Sequence, residues 1–338
     1  MSRHFNHYYL DRSLKEKGMA DSLVKLPPES GGETWQVKLK EVLDKANDVL
    51  LGKDKEIRLA ITSMVAGGHL LIEDVPGVGK TTLVYLLSHL MGLDLKRIQF
   101  TNDLLPGDIL GTMVFHKESE SFEFKKGPIF GQLILADELN RATPKTQSAL
   151  LQCMEEGRVT VEGQEFQLDD PFLIVATQNP FFQVGTFQLP ESQLDRFFMS
   201  LHLDFPAREF EKKILLQSET RELIDGLKSV LNASDVVDIR EQIKSVIVSD
   251  ILLEYLLDLL EKGRSELEEG AYLSPRAGKD LIQGARAYAF LEGRDYVVPD
   301  DIQQVAPYIL GHRLGGGKGV VYGQNLIKDL IKKVPVGT

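Results

Sequence analysis

The sequence contains a single cysteine, Cys153, among its 338 residues. One thiol allows no disulfide within the chain, which excludes the class of small secreted proteins that disulfides stabilise. Cys153 lies among apolar residues with helical spacing, which favours a buried side chain over a reactive nucleophile. No apolar run approaches the roughly 20 residues that cross a bilayer as a helix, and residues 1–18 lack the apolar core of a signal peptide. These absences predict a cytoplasmic protein.

Positive charge is also scarce. The chain has 39 basic and 50 acidic residues, which gives a formal net charge of -11. This balance argues against a surface built mainly to bind the phosphates of nucleic acids. Residues 1–33 are polar and rich in turn-forming residues, so they predict a flexible tail before the folded region.

Short apolar segments alternate with helical patterns between about residue 35 and residue 206. Each segment is too short for a helix, and most of them contain runs of apolar residues, which are typical of parallel strands that are covered on both faces. Two further segments, 109–127 and 158–168, surround turn residues and predict β-hairpins. The predicted strands are 69–74 (HLLIED), 96–100 (KRIQF), 132–137 (QLILAD), 171–178 (PFLIVATQ) and 199–205 (MSLHLDF).

The composition changes after Phe205 and Pro206. Long helical patterns such as DILLEYLLDLLEKG follow, without a further pattern of a buried strand. The sequence therefore predicts an α/β protein with a parallel sheet, helices on both faces and a smaller all-helical domain. The predicted organisation is a tail at residues 1–33, an αβα core at 34–206 and a helical domain at 207–338.

The segment EDVPGVGKTTL, residues 73–83, lies between a predicted strand and a predicted helix. It follows the phosphate-binding pattern G-x-x-x-x-G-K-[ST], except that Asp74 stands in place of the first glycine. That position lies upstream of the groups that contact phosphate, and Pro76-Gly77 can form the turn instead. The departure therefore leaves the predicted phosphate-binding loop (P-loop) intact.

The chemistry of such a loop resides in backbone N–H groups at a helix N-terminus, here those of residues 77–81. Gly77 and Gly79 allow the backbone shape that turns these groups toward one anion. Lys80 reaches the β- and γ-phosphates of a nucleotide, and Thr81 ligates Mg²⁺. The sequence therefore predicts binding of a nucleoside triphosphate with Mg²⁺.

Two other predicted strands end in polar residues at the same edge of the sheet. The segment LILADELNRA runs from four apolar residues into Asp137 and Glu138, and IVATQNP leads into Asn179. Open α/β sheets bind ligands at the carboxyl ends of their strands. There Asp137 can stabilise the Mg²⁺ shell, and Glu138 can polarise an attacking water. Asn179 can orient that water, although an asparagine before a proline is, taken alone, more typical of a simple turn.

Four linked motifs resemble the MoxR family of AAA+ ATPases, and the resemblance extends from about residue 45 to about residue 315. The motifs are VPGVGKT, LILADELNRATPKTQSALLQCMEEGRVT, ATQNPFFQVGTFQLPESQLDRF and YLSPRA. The resemblance implies an AAA+ core with strand order 5-1-4-3-2, a helical lid, and a ring, usually hexameric, whose sites lie between subunits. The two predicted hairpins match the helix-2 insert and the pre-sensor-1 insertion of this clade.

The resemblance also implies roles for single residues. The Walker A and Walker B motifs match at the P-loop and at Asp137-Glu138, and Asn179 matches sensor 1. Arg196 matches the arginine finger and Arg276 matches sensor 2, whereas spacing alone would not distinguish either arginine from a solvated surface residue. The candidate catalytic residues are Glu138, Asn179, Arg196 and Arg276, the nucleotide-binding residues are Pro76, Gly77, Val78, Gly79, Lys80, Thr81, Thr82 and Asp137, and the metal ligands are Thr81 and Asp137.

The family implies an ATPase with ATP and Mg²⁺ as its ligands, and a chaperone role in maturing partner complexes or inserting metal cofactors. Such relatives often act beside proteins with von Willebrand factor A domains. One alternative is a motor that remodels nucleic acids, against which the acidic charge balance counts. Another is a scaffold with little turnover, against which the intact Asp137-Glu138 pair counts. The sequence has no N-K-x-D motif, which disfavours a GTPase.

Overall fold

Helices and strands alternate along the chain in the order that the sequence pattern predicts. The computed structural model describes residues 34–179, 185–216, 220–266, 273–315 and 318–336. Residues 35–338 form one compact unit. The predicted tail lies outside the described residues, and the boundary at residue 206 stays a prediction. The strands are β1 (Leu70–Glu73), β2 (Leu95–Gln99), β3 (Gly111–His116), β4 (Ser121–Lys126), β5 (Leu133–Asp137), β6 (Arg158–Val161), β7 (Gln164–Gln167), β8 (Leu173–Gln178) and β9 (Met199–Leu201).

Thirteen α-helices are described. In the first part of the chain the helices flank the strands. After residue 206 the described elements are all helices, and one isolated β-bridge pairs Ile247 with Tyr296. The helices are α1 (Trp35–Val49), α2 (Asp54–Val65), α3 (Lys80–Leu90), α4 (Pro106–Leu110), α5 (Pro144–Glu156), α6 (Glu191–Leu194), α7 (Arg208–Ile214), α8 (Thr220–Asp225), α9 (Ala233–Ile243), α10 (Asp250–Glu266), α11 (Pro275–Leu291), α12 (Pro299–Leu314) and α13 (Val320–Lys333).

Five strands pair in parallel in the order β2-β5-β8-β1-β9. With these strands numbered one to five along the chain, this is the order 5-1-4-3-2 that the family resemblance implies, so that prediction is confirmed. Apolar side chains cover both faces of the sheet. In β1, Leu70 and Ile72 pack into one apolar cluster, and Leu71 packs into the other. This two-sided burial explains the apolar runs of β1, β5 and β8. The predicted strand at residues 96–100 is present as β2, but it lies at the end of the strand order and buries only Ile98, so its prediction as a buried strand is wrong.

The last strand is shorter than its sequence predicts. The apolar pattern extends to Phe205, but β9 ends at Leu201. The backbone turns at Asp204, whose φ is +55°, and the N–H groups of Leu203 and Asp204 donate to the side chain of Asp74 instead of a neighbouring strand. The buried carboxylate of Asp74, which belongs to the phosphate-binding loop, therefore holds the segment that follows β9.

Both predicted hairpins are present. β3 pairs antiparallel with β4, and β6 pairs antiparallel with β7 around Glu162 and Gly163, both of which have positive φ. The rings of Phe124 and Phe166 stack with their centroids 3.9 Å apart, so the two hairpins contact each other.

The C-terminal helices pack closely on the edge of the sheet. Helices α12 and α13 touch at two glycines, since a Cβ added at Gly323 would lie 1.9 Å from the carbonyl oxygen of Gly311. The hydroxyl of Ser200 in β9 donates to the carbonyl of Tyr308 in α12 at 3.3 Å. Of the helices in the described ranges, none is long and apolar enough to cross a membrane.

Cys153 is buried in helix α5, as its sequence context predicts. Burial, together with the nearby charge of Glu156, raises the pKa of the Cys153 thiol to about 12. The thiol is therefore protonated at neutral pH and is a poor nucleophile.

Candidate nucleotide-binding site

The P-loop joins the end of β1 to the start of α3. Gly77 and Gly79 have φ values of +88° and +98°, and a Cβ at Gly77 would meet no atom within 4 Å. The backbone conformation, and not crowding, therefore requires glycine at Gly77. Val78 is buried and holds the loop to the core, whereas Pro76 is exposed beside it.

Helix α3 presents unsatisfied N–H groups at its start. The N–H of Leu83 donates to the carbonyl of Gly79 at 2.9 Å, as the first turn of the helix requires. The N–H groups of Lys80, Thr81 and Thr82 consequently have no acceptor within the helix. Free donors at the positive end of a helix dipole bind anions such as phosphate. The loop therefore fits the phosphate group that the sequence predicts.

Asp74 explains why the loop tolerates the loss of its first glycine. Its side chain is fully buried, and the carboxylate accepts hydrogen bonds from the backbone N–H groups of Val75 (2.8 Å), Leu203 (2.6 Å) and Asp204 (2.9 Å). Asp74 thus fastens the start of the loop to the segment after β9, which a glycine could not do. Sequence reasoning missed this contact because the partners lie 129 and 130 residues away.

Lys80 points back over the loop toward the end of β8. Its ammonium donates to the carbonyls of Asp74 (2.5 Å) and Val75 (3.3 Å) and to Oδ1 of Asn179 (3.1 Å). Partial burial lowers the pKa of Lys80, and the nearby carboxylates, including that of Glu138, oppose this shift. The structure therefore brings the predicted phosphate-binding lysine and the predicted sensor 1 asparagine into contact.

Asp137 ends β5 with its carboxylate bound from two sides. Oδ1 accepts a hydrogen bond from the hydroxyl of Thr177 at 2.6 Å, and Oδ2 accepts one from Nη2 of Arg97 at 2.7 Å. Asp137 is 8% exposed, so its carboxylate is held in one orientation at the carboxyl edge of the sheet. A carboxylate oxygen and the Thr81 hydroxyl are a donor set that Mg²⁺ accepts, because this ion favours few protein oxygens completed by water and phosphate.

Glu138 follows in a strained conformation, with φ at +58°, outside any strand. Its Oε2 accepts hydrogen bonds from Nε2 of Gln99 (3.0 Å) and Nη1 of Arg141 (2.9 Å). Its Oε1 lies 3.5 Å from Nδ2 of Asn179. Backbone strain of this kind persists where the surroundings impose it, and it is common at catalytic residues. Glu138, Asn179 and Lys80 thus form one connected group.

Arg97, Gln99 and Thr177 are polar residues of this site that sequence reasoning missed. The register of the sheet places Gln99 beside Asp137, and β8 places Thr177 next to the end of β5. The signal was present as polar residues near the carboxyl ends of two strands. It became informative only once the register of the strands and the side-chain contacts showed that these residues lie beside Asp137.

The two predicted arginines lie at the amino ends of the strands, on the side of the sheet opposite to the P-loop. The N–H of Phe198 donates to the carbonyl of His69 at 2.9 Å, and Met199 pairs with Leu70 at the start of β1. Arg196 therefore lies where β1 begins, whereas the P-loop follows the end of β1. Four residues of extended chain span about 13 Å. Arg196 is thus separated from the Lys80 of its own chain by the length of the strand.

Arg196 and Arg276 share one acidic partner, Glu155 near the end of helix α5. Nη2 of Arg196 lies 3.2 Å from one carboxylate oxygen of Glu155, and Nη1 of Arg276 lies 3.5 Å from the other. The preceding residue, Met154, accepts a hydrogen bond from Nε2 of His69 at 3.1 Å, which fixes this end of the helix to the start of β1. The structure therefore brings the two arginines together but not to their own P-loop.

Comparisons with known proteins agree with this geometry. Residues 69–199 match the ATPase family associated with various cellular activities (AAA), and residues 262–321 match the AAA lid domain. The chain is 44% identical over 284 residues to the uncharacterised protein YeaC of Bacillus subtilis, covering 83% of this chain and 89% of YeaC. It is 35% identical over 285 residues to the chaperone MoxR1 of Mycobacterium tuberculosis, covering 82% of this chain and 75% of MoxR1.

A solved structure supports the same fold. A crystal structure of a protein proposed to be an ATPase from Cytophaga hutchinsonii is 39% identical to the chain, with a TM-score of 0.79, and the match covers 90% of this chain and 96% of that protein. Family matches, relatives and fold point to one group, in agreement with the four sequence motifs. The chain belongs to the MoxR family of AAA+ ATPases.

Proposed function

We propose that the protein binds ATP with Mg²⁺ and hydrolyses it to ADP and phosphate, as a ring in which neighbouring subunits complete each site. The observation that carries this proposal is the contact of Lys80 with Asn179, which in turn lies beside Glu138. These three side chains lie together at the carboxyl edge of the sheet, where they would serve as a phosphate-binding cation, a water-orienting amide and a general base.

Each residue of the proposed site has a distinct task. The N–H groups at the start of α3 and the ammonium of Lys80 hold the phosphates. Thr81 and Asp137 would hold Mg²⁺, and this ion would supply positive charge to the transferred phosphoryl group. Glu138 accepts a proton from the attacking water, and Asn179 orients that water.

The remaining task, stabilising charge on the γ-phosphate, falls to a neighbouring subunit. Arg196 and Arg276 lie together at Glu155, at the amino edge of their own sheet. An interface that joins the amino edge of one subunit to the carboxyl edge of the next is heterologous, and such interfaces form a ring when the rotation between subunits closes. A hexamer is the ring that the family implies. Arginine fingers supplied in this way contribute roughly 10³–10⁵ in rate.

The cellular role that we propose is that of a chaperone that remodels or matures partner complexes, including insertion of metal cofactors. The support is the similarity to the chaperone MoxR1. A partner with a von Willebrand factor A domain belongs to this proposal, and a cytoplasmic location stays a prediction. The net charge of -11 gives no support to a nucleic-acid motor.

Phosphate release by the purified protein with Mg²⁺ tests the enzymatic proposal. We expect turnover whose rate per chain rises with protein concentration as rings form. Release no faster than that of Glu138→Gln would contradict hydrolysis at this site, and full activity in a monomer would contradict the ring. Strong acceleration by duplex DNA would favour the nucleic-acid motor instead.

A capture experiment tests the chaperone role. Glu138→Gln should hold ATP and its client together, so cross-linking with ATP should recover a client that Lys80→Ala does not recover. Equal recovery by both variants would show that the captured protein does not depend on nucleotide.

A further inference from the structure

Arg313, near the end of helix α12, contacts the chain on both sides of Arg196. It is 3% exposed, and its Nε donates to Oδ1 of Asp195 at 2.7 Å. Nη2 donates to the backbone carbonyls of Asp195 and Phe197, each at 3.2 Å. The residues immediately before and after Arg196 are therefore held by one guanidinium from a helix more than a hundred residues away in sequence.

The adjacent residue of α12 strengthens this contact. Nε2 of His312 donates to the carbonyl of Phe197 at 2.9 Å. Burial, with the charge of Arg313, lowers the pKa of His312 to about 3, so the imidazole is neutral at pH 7. Two consecutive residues of α12 thus fix the backbone that carries Arg196.

The same guanidinium also reaches helix α11, which carries Arg276. Arg313 donates to the carboxylate of Asp280, one helical turn after Arg276. Ser274, whose hydroxyl caps the start of α11 by accepting from the N–H of Ala277, lies 3.4 Å from the carboxylate of Asp195. Arg313 is therefore the common partner of the segment around Arg196 and of the helix of Arg276.

A planar guanidinium has five donors in a fixed fork, so it sets the spacing of its partners in a way that a flexible ammonium does not. All three nitrogens of the Arg313 guanidinium donate hydrogen bonds, because Nη1 donates to the carbonyl of Ile309 within α12. Burial raises the pKa of Asp280, and the charge of Arg313 opposes that shift. Removing Arg313 would leave two acidic groups without the cation that compensates them.

We propose that Arg313 is the positioning residue that sets Arg196 and Arg276 at the spacing required to reach the nucleotide of the neighbouring subunit. Arg313 is buried, and it acts through Asp195, Phe197 and Asp280. The inference rests on the proposed trans-acting role of the two arginines. It predicts that loss of Arg313 mimics loss of Arg196, and does not merely weaken the fold.

The test compares Arg313→Met and Arg313→Lys with a matched control, Arg294→Met. Arg294 forms two hydrogen bonds of 2.6 Å with the carboxylate of Asp301 at the other end of α12. Twelve residues of helix separate Asp301 from Arg313 by about 18 Å. The control therefore removes an ion pair of the same helix without touching the segment of Arg196.

Four quantities are measured for each variant: the melting temperature, ATP affinity, the rate of hydrolysis per chain, and the rate after mixing with Lys80→Ala. For Arg313→Met we expect ATP affinity within about twofold of wild type, since its own P-loop is intact, and hydrolysis reduced about tenfold or more. Arg313→Lys should fall between Arg313→Met and wild type. Arg294→Met should hydrolyse ATP normally wherever it is folded.

Mixing distinguishes positioning from folding. Arg313→Met mixed with Lys80→Ala should recover activity, as is also expected for Arg196→Ala mixed with Lys80→Ala, because each variant supplies what the other lacks. If Arg313→Met does not fold, Arg313→Lys and Asp280→Asn take its place in the same mixtures.

Two outcomes overturn the inference while the proposed function stands. One is normal hydrolysis by folded Arg313 variants. The other is recovery in the Arg196→Ala mixture but none in the Arg313 mixtures. Absence of recovery with Arg196→Ala itself, in rings shown to be mixed, contradicts the trans arrangement of the proposed function, and the inference about Arg313 falls with it.

Discussion

The carboxylate of Asp74 accepts a hydrogen bond of 2.6 Å from the backbone N–H of Leu203, two residues after strand β9 ends. This contact joins the first position of the P-loop to the segment that leads out of the sheet. The residue that breaks the general P-loop pattern therefore has a structural task in this chain. A substitution toward the pattern should be harmful.

We expect Asp74→Gly to lower the free energy of unfolding by about 3 kcal/mol, because three N–H groups lose their acceptor and unsatisfied buried groups cost about 1–3 kcal/mol each. Denaturation by urea measures the change. Asp74→Asn keeps one acceptor oxygen and should lose less. A stability of Asp74→Gly equal to that of wild type would contradict the role assigned to the carboxylate.

Lys80→Ala should weaken ATP binding by about a hundredfold or more, because the charge-assisted hydrogen bonds of an ammonium to phosphate contribute about 1.5–3 kcal/mol each. Calorimetric titration with ATP measures the affinity. Lys45→Ala, which removes a surface cation paired with Glu41, is the control and should bind as wild type does. Unchanged affinity of Lys80→Ala would refute the P-loop assignment.

Glu138→Gln should retain ATP affinity but hydrolyse it about a hundredfold more slowly or worse, since the amide fills the same space without accepting a proton. Single-turnover phosphate release measures hydrolysis separately from binding. Glu118→Gln, on the exposed turn between β3 and β4, should leave both unchanged. If Glu138→Gln turned over near the wild-type rate, another residue would have to be the base.

The fold should lose stability in mild acid, and His69 should account for a defined part of this loss. Burial lowers the pKa of His69 to about 4, opposed by its hydrogen bond to Met154. The unfolded chain therefore binds a proton below about pH 6.5 that the folded chain takes up only near pH 4, so stability falls as the pH drops through this window. The protonation of His69 in the unfolded chain lowers the free energy of unfolding by about 2 kcal/mol at pH 5.

Urea denaturation at pH 7 and pH 5 measures this loss. His69→Gln removes the titrating group. Between pH 7 and pH 5, the free energy of unfolding of this variant should therefore fall by about 2 kcal/mol less than that of wild type. His116→Gln, at an exposed position of a hairpin, should behave as wild type does. An equal loss in wild type and His69→Gln would refute the role of the buried imidazole.

Local signals in the sequence predict much of the fold. Helix α5 begins at Pro144 after an N-cap at Thr143 and ends before Gly157, whose φ is +64°. These bounds are the ones that capping preferences give, because a proline at the first helical position and a glycine after the last act through nearby backbone only. Similarly local sequence patterns predict the P-loop, both hairpins and the ends of two strands at Asp137 and Gln178.

Contacts between distant segments escaped prediction for a physical reason. Nothing near Arg313 in sequence indicates Asp195, which lies 118 residues earlier, and nothing near Asp74 indicates Leu203. Such pairs depend on strand order and helix packing, which a single sequence does not encode locally. The strand order itself came from the family resemblance, and it was needed to see that Gln99 and Thr177 flank the Asp137-Glu138 pair.

In the proposed ring, Arg196 serves the site of a neighbouring subunit. Arg196→Ala should bind ATP as wild type does yet lose hydrolysis, and Lys80→Ala should be inactive because it binds ATP poorly. In rings mixed at equal amounts, about a quarter of the sites would pair an intact Lys80 with an intact Arg196, if each site uses one neighbour. We expect recovery of up to about a quarter of the wild-type rate in the mixture. No recovery, with mixed rings demonstrated by native mass spectrometry, would contradict it.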